Sequence, residues 1–513
     1  MSTFLLGIDN GGTVIKGALY SLDGQEVAVV SRKLVMITPR PGHTERDSEA
    51  MWQANVAVIR ELLEKTSVSG VSIIGIGITG HGNGVYLADK TGKPTYNGVI
   101  STDTRGKDYV AQWQKDGTFA RTLLKTYNSI WAGQPAPILR WLVDHEPAVI
   151  AKTDYVFMCK DYIKYRLTGV AATEISDFSG GGMLNIAEKR LDQDLLKEFG
   201  IESLYDKLPP LKDPLAIHGY ITKEIAELTG LATGTPVAGG TMDMHASAIA
   251  TGSIQKDQLC VTAGTWSINE FMAEEPVISD DLFMCAIAPG NRYLIAEGSP
   301  TSASNLEWFL TEVLKGLEYT EGTLYDLAND LVASVPYDRS NLIFLPFLFG
   351  TNVDPRAKSA FVGMSAWHKR GHLIRAIYEG VVFSHRHHID KLIAQGGNFK
   401  QARIAGGVVN SEIWMQMFAD ILQVPIEVTQ TKELGAMRAA IIAGVSAGLF
   451  ASVEVGAQRM IQVVKTCQPD QTKKALYDQK YQLYRNLLTK LAPIWQDFET
   501  VASGIKAGEG ESL

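Results

Sequence analysis

Apolar positions along this chain follow two rhythms, and the opening residues show one of them. Phe4–Asp9 is an apolar run that turns abruptly acidic, Asn10-Gly11-Gly12-Thr13 is a turn, and Val14–Tyr20 is a second β-rich run. Strand, glycine turn, strand predicts a hairpin. Leu22-Asp23-Gly24 then turns the chain into Val27–Ser31, so three antiparallel strands are expected to open the protein. Ser48–Lys65 changes rhythm, with Met51, Trp52, Val56, Ile59, Leu62 and Leu63 along one helical stripe. Ser72–Thr79 is a continuous apolar strand that ends in Gly80-His81-Gly82-Asn83-Gly84. Ala136–His145 and Tyr155–Leu167 read as helices, and Leu228–Val237 as a strand.

The pattern then restarts. Gln258–Thr262, Ala263-Gly264-Thr265 and Trp266–Met272 repeat strand, turn and strand, with Gly264 close to half a chain beyond Gly12. Two hairpins of like form at that spacing predict a duplicated fold with a cleft between its halves. Ile404–Asp420 reads as strand, glycine turn and helix, with Trp414, Met417 and Phe418 inward. Pro425–Val428 reads as a strand, Glu433–Phe450 as a buried Ala/Gly-rich helix and loop, and Tyr477–Leu491 as a closing amphipathic helix. Gly504–Leu513 is read as a frayed tail.

Size and charge narrow the class. A chain of 513 residues exceeds one ordinary core, so two or more domains are expected. A net charge of -8 argues against a broad nucleic-acid surface. Cys159, Cys260, Cys285 and Cys467 are scattered without a CxxC pair, as reduced core thiols of a cytoplasmic protein would be. The N-terminus lacks the basic and then apolar sections of a signal peptide. Ala439–Val453 is shorter than the roughly 20 apolar residues a membrane span needs. The expectation is a soluble protein.

Candidate chemistry gathers around Val237–Gly252, VAGGTMDMHASAIATG, where Asp243 follows a Gly-Gly pair and precedes a small-residue helix. The bland alternative is that Asp243 only caps that helix. The glycine-rich hairpin turns tip the balance, because several backbone N–H groups in one concavity suit phosphate oxygens. On that view Asp243 is a base beside a phosphate-transfer site. His81 and Asn83, at a strand end between glycines, are candidate ligand contacts, against the alternative of a plain turn. Asp103 and Arg105 in Gly98–Arg105 count only in their company. The turn in Ile404–Asp420 can hold nucleotide phosphates at a helix N-terminus. Neither GxGxxG nor GxxxxGK[ST] occurs at these turns, so a dinucleotide fold and a P-loop are unsupported.

These residues resemble the FGGY carbohydrate kinases, and the match covers nearly the whole chain. Its most diagnostic piece is Ser359–Glu379, SAFVGMSAWHKRGHLIRAIYE, with the Gly363 turn, His372-Leu373 and Ala376-Ile377-Tyr378-Glu379. Glu45, Asp47 and Trp52, Asp161-Tyr162 with Leu167-Thr168-Gly169, Gly234–Val237, and Glu433-Leu434-Gly435-Ala436 also fit. The resemblance implies an α/β fold of two actin-like (ribonuclease H-like) domains with an ATP-binding cleft between them. The expected division is residues 1–248 for the sugar site and catalytic base, 249–492 for the nucleotide site, and 493–513 as a tail. Asp243 matches the catalytic base, and Asp9 the hairpin carboxylate near Mg²⁺; both are expected at the metal. Gly11, Thr13 and Lys16 fall on the first phosphate hairpin, Gly264 and Thr265 on the second, and Gly406, Gly407 and Asn410 on the adenosine motif. His81, Asn83 and Asp103 fall where the sugar is held.

Departures from the family pattern bear on substrate. The usual Asp-x-Gly-Thr opening is Asp9-Asn10-Gly11-Gly12-Thr13 here, and the Gln-Met-His-Gly loop of D-xylulose kinases is His81-Gly82-Asn83-Gly84. Together the departures look most like the L-xylulose kinase branch, implying Mg-ATP and a small sugar acceptor, a pentulose such as L-xylulose. A polyol kinase for glycerol or erythritol is the runner-up. A non-catalytic sugar- or ATP-binding protein on the same fold is the alternative from another class, disfavoured because Asp9 and Asp243 are both retained. The expected partner is a small sugar, with no nucleic acid and no membrane; a homodimer is left open.

Overall fold

The computed structural model describes residues 3–316, 319 and 322–504. The chain divides into two compact units. Unit 1 comprises Met1–Lys256, Phe271–Ala296 and Thr429–Val463; unit 2 comprises Asp257–Glu270, Glu297–Val428 and Val464–Leu513. Both mix helix and strand, as expected of an α/β protein.

Unit 1 is built on one twisted sheet. Its strands are β1 (Phe4–Asn10), β2 (Val14–Ser21), β3 (Glu26–Lys33), β4 (Ile73–Gly80), β5 (Ile217–Tyr220), β6 (Pro236–Ala238) and β7 (Thr241–Met242). Their order is β5-β6-β4-β1-β2-β3, with β7 also pairing β4. The three-stranded opening is present: β1 and β2 are antiparallel with Asp9 opposite Lys16, and β2 and β3 continue the meander. Beyond β1 the sheet turns parallel, with Asp9 opposite Thr79 and Asn10 opposite Gly80.

The Ser48–Thr66 helix covers one face and buries Met51, Trp52, Val56, Ile59 and Leu62 of the predicted stripe, while Leu63 at its edge is half-buried. Asp47 caps it, accepting from the N–H groups of Glu49 (2.8 Å) and Ala50 (3.0 Å). The other face carries the Leu434–Ser446 helix, which comes close because the sheet offers glycines there. A Cβ on Gly7 would stand 1.9 Å from the Ala436 carbonyl oxygen, and one on Gly77 1.8 Å from that of Ala439.

Two predictions about unit 1 need correction. Tyr155–Phe157 is a strand, and only Cys159–Thr168 is helical. The aromatic and β-branched run pairs with Tyr86–Ala88, and that pairing outweighs helical periodicity. Leu228–Val237 is not one strand: a helix runs to Thr229, Gly230 ends it at φ 83°, and the strand begins at Pro236. Gly-x-x-x-Gly-x-Pro spends that stretch on turns rather than on a ladder.

Unit 2 repeats the hairpin-plus-parallel-strand plan. β8 (Gln258–Ala263) pairs antiparallel with β9 (Ser267–Ala273), with Val261 opposite Asn269. On its other side β8 is parallel to β10 (Gln401–Ala405), which is parallel to β11 (Ile426–Thr429). The Arg370–Ala394 and Glu412–Leu422 helices pack together. The closing helix is longer than predicted, Lys474–Gly504, with Pro493 inside it. The predicted tail residues 505–513 lie outside the described residues. All four cysteines are buried and none forms a disulfide. Among the described residues no helix is long and apolar enough to cross a membrane.

Candidate active site

Two carboxylates leave the unit 1 sheet at the same end. β7 pairs β4 through Thr241 and Thr79, and Asp9 of β1 faces Thr79 from the other side, so Asp9 and Asp243 flank one strand. Asp9 Oδ1 is sealed from water and no hydrogen bond reaches it. Burial, and then the negative charge of Asp243, push the Asp9 carboxyl up to about 6, against the pull of Arg438 and Lys16. A sealed acceptor with no donor is costly unless a cation or ligand meets it. The Leu434–Ser446 helix begins against this group: a Cβ on Gly435 would lie 2.3 Å from Asp9 Oδ2.

Asp243 starts the Met244–Thr251 helix with helical dihedrals, φ −62° and ψ −31°, and makes no side-chain capping bond. Its Oδ1 instead accepts from the Gly82 N–H at 3.0 Å, and its own N–H donates to the Gly80 carbonyl at 3.0 Å. Gly240, at φ 80°, turns the chain so tightly that a Cβ would meet the Ile78 carbonyl oxygen at 2.1 Å. Beneath this turn lies a buried ionic knot. Lys160 meets Asp161 (2.8 Å), Glu174 (3.0 Å) and Asp177 (2.9 Å), and Lys164 holds Asp161 (2.8 Å) and the Gly239 carbonyl (2.7 Å). The loop bearing Asp243 is thus pinned from below as well as from the side.

Other predicted residues of unit 1 take distinct places. Lys16 pairs with Glu433 at 2.7 Å. Gly11 and Gly12 present their carbonyls to buried Arg46, and Thr13 is exposed at the turn. His81 is buried with Nε2 2.8 Å from the Tyr86 hydroxyl; burial and then nearby Arg46 hold its imidazole down at about 3, so it is neutral. Asn83 adopts φ 63°, and its buried Oδ1 has no hydrogen-bond partner. Asp103 belongs to an ion network instead: its oxygens accept from Thr44 N–H (2.6 Å) and Arg105, which also meets Glu45 at 2.7 Å.

Unit 2 gathers its predicted residues into one cavity of about 630 Å³, lined by Gly264, Thr265, Gly407 and Asn410. Gly406 adjoins it at φ 100°, where a Cβ would strike the Ala263 carbonyl oxygen at 2.4 Å, so the turn after β10 lies against the β8–β9 turn. Tyr378 stacks on Trp414 (centroids 4.1 Å apart) along the wall, and Ser411 and Tyr378 both donate to Asn329 Oδ1, at 2.6 and 3.0 Å. An aromatic wall beside glycine turns and a polar side chain suits a flat heterocycle carrying phosphates.

The model of the FGGY family of carbohydrate kinases, N-terminal domain, matches residues 4–250, and that of the C-terminal domain matches residues 259–447. The chain belongs to this family. Its relatives include the L-xylulose/3-keto-L-gulonate kinase of Escherichia coli (strain K12), 37% identical over 494 residues, which are 96% of this chain and 98% of that protein. A probable L-xylulose kinase of Pasteurella multocida (strain Pm70) is 36% identical over 95% of this chain and 99% of its own. Among solved structures, gluconate kinase from Lactobacillus acidophilus has a TM-score of 0.90 at 25% identity, covering 97% of this chain and 100% of that one. Ligand-bound xylulose kinase from the same organism scores 0.89 at 25% identity, with the same coverage. The two-domain α/β sugar kinase fold and kinase activity expected from the motifs therefore hold.

Within this FGGY kinase, sequence reasoning missed Arg46, Arg438 and the Tyr378–Trp414 wall. Arg46 lies between Glu45 and Asp47, which carry the family resemblance. Arg438 is wholly buried and donates to the Met242 carbonyl, one residue before Asp243. A lone arginine in an Ala-rich helix was the available signal.

Proposed function

We propose that this kinase transfers the γ-phosphate of Mg-ATP to a hydroxyl of a small ketose, a pentulose such as L-xylulose, with Asp243 as the general base. The observation that carries the reading is Asp243 itself: it stands at a helix start without capping it, is aimed by the Gly82 N–H, and neighbours a second sealed carboxylate. As the sugar hydroxyl oxygen bonds to the γ-phosphorus and the bond to the ADP oxygen breaks, Asp243 accepts the hydroxyl proton.

Magnesium, when bound, would offset charge on the phosphate oxygens. Asp9 and Asp243 would hold it. Among the described residues no cluster of three or more His, Cys, Asp or Glu forms a protein-only cage. Magnesium needs none, since it takes one or two carboxylates and completes its shell with phosphates and water. The sealed Oδ1 of Asp9 fits that demand.

In the same reading Gly406, Gly407 and Asn410 hold adenosine, Gly264 and Thr265 form one phosphate turn, and Gly11, Thr13 and Lys16 form the other. His81 and Asn83 hold the sugar, since neutral His81 and the unpartnered Asn83 Oδ1 suit hydroxyl groups; Asp103, whose oxygens accept from Thr44 and Arg105, would join them by exchanging one of those partners. The chain divides into 1–248 and 249–492, followed by 493–513, counting residues 271–296 and 429–463 with the nucleotide half although both segments belong to the first compact unit. The identity to L-xylulose kinases supports the choice of pentulose.

Coupled ADP release with L-xylulose, D-xylulose, 3-keto-L-gulonate, gluconate and glycerol tests the proposal. The expected result is ADP above the no-acceptor background, with kcat/KM highest for L-xylulose. Background rates with every acceptor would overturn the sugar kinase reading, and a preference for glycerol would replace the pentulose with a polyol.

A further inference from the structure

Arg46 is a buried charge without a counterion. It is 1% exposed, and its hydrogen bonds go to Met51 Sδ and to the Gly11 and Gly12 carbonyls, none to a carboxylate among the described residues. Its Nε is sealed from water and has no acceptor. The titratable groups on which its charge acts supply no anion either. Burial raises the Cys159 thiol to about 12 and the Tyr86 phenol well above its ordinary value, and His81 is neutral. A guanidinium kept in such a place is costly. Tethering two carbonyls alone would not require a charge.

The turn it grips shows what the charge is for. Among the described residues no peptide bond is cis, so within each peptide unit the carbonyl and the following N–H point in opposite directions. Arg46 Nη2 donates to the Gly11 carbonyl at 3.0 Å and to the Gly12 carbonyl as well. The N–H groups of Gly12 and Thr13 are therefore turned away from Arg46. Both residues are exposed, and neither N–H meets an acceptor among the described residues. A Cβ added to Gly12 would meet nothing within 4 Å, so the turn stands in open space. Two adjacent free donors make a nest for an anion, and a cation on the carbonyl side of the same peptides polarises both. Resting on the phosphate role given above to this turn, we propose that Arg46 is a positioning residue for phosphoryl transfer. By holding the Gly11 and Gly12 carbonyls it aims the Gly12 and Thr13 N–H groups at the terminal phosphates of the nucleotide and strengthens them as donors.

Calorimetric titration of the full-length protein with AMP, and with the magnesium complex of a non-hydrolysable ATP analogue, tests this. Wild type should bind the triphosphate more tightly than AMP. Arg46→Met removes the charge but fills the space, and should bind the triphosphate at least about tenfold more weakly, the loss expected for hydrogen bonds to a charged group. Its affinity for AMP should match wild type. Its melting temperature should not fall, because a buried charge has given way to an apolar side chain. Arg46→Lys keeps the charge but not the planar fork, and its triphosphate affinity should lie between the two. An unchanged triphosphate affinity in Arg46→Met would overturn the proposal. So would equal losses for AMP and the triphosphate with a lower melting temperature, the mark of a structural tether. If Arg46→Met does not fold, the same two comparisons on Arg46→Lys decide. A wild type that binds the triphosphate no more tightly than AMP would overturn the phosphate role of the turn and the proposal with it, leaving the assignment of Asp243 as base untouched.

Discussion

Whether Asp243 is a helix cap or a base depends on what its carboxylate touches. A capping Asp has an extended backbone and accepts from the second or third N–H of its helix, as Asp47 does. Asp243 does neither, and its Oδ1 is engaged by Gly82 instead. Asp243→Asn keeps the shape but cannot take a proton. The expected outcome is kcat lower by at least ~10²-fold, with sugar binding and melting temperature unchanged; near-normal turnover would refute the assignment. In the sequence Asp243 stands out because glycines around a lone carboxylate mark a turn where ligand comes close, whereas Asp9 is marked only by the family resemblance. Arg46 and Arg438 are marked by neither. Each acts by giving a hydrogen bond to a carbonyl from a distant part of the chain, Gly11 for Arg46 and Met242 for Arg438. No one-dimensional pattern records such a pairing.

Among elements, the contact between the Leu434–Ser446 helix and the sheet sets the position of Asp9. Gly7 and Gly77 give way to the Ala436 and Ala439 carbonyls, so the helix start reaches Asp9. Gly77→Ala would press a methyl into the Ala439 carbonyl, and overpacking of this kind costs about 1–3 kcal/mol or more. A lower melting temperature with reduced turnover is expected; an unchanged melting temperature would show that the helix can lift at no cost. The Ala/Gly-rich helix itself was predicted from composition, as were the hairpins from their glycine turns. Its packing partner was not, because small residues mark close approach without naming what approaches. Tyr155–Phe157 reads as helix in the sequence for a similar reason: a three-residue strand is defined by its partner Tyr86–Ala88, and three residues carry no period of their own.

At the scale of the molecule, buried neutral histidines make stability depend on acidity. Burial first, with nearby charges, holds His81, His218 and His385 at about 3 and His387 at about 4, against 6.5 when unfolded. Folded pKa values below the unfolded ones mean that the unfolded chain binds more protons between about 6.5 and 3. Stability is therefore full above that window and falls as pH drops through it. Asp9, raised to about 6, and Asp177, raised to about 7, act in the opposite sense but are fewer. The melting temperature should fall from pH 7 to pH 5, and His385→Gln should shrink that fall; a flat or rising profile would contradict it. The most direct test of a sugar kinase built on Asp9 and Asp243 is product stoichiometry. With Mg-ATP and L-xylulose, ADP and sugar phosphate should appear one for one, and both should cease when the sugar is omitted. ADP released without sugar phosphate, or no turnover at all with the pentulose, would contradict it.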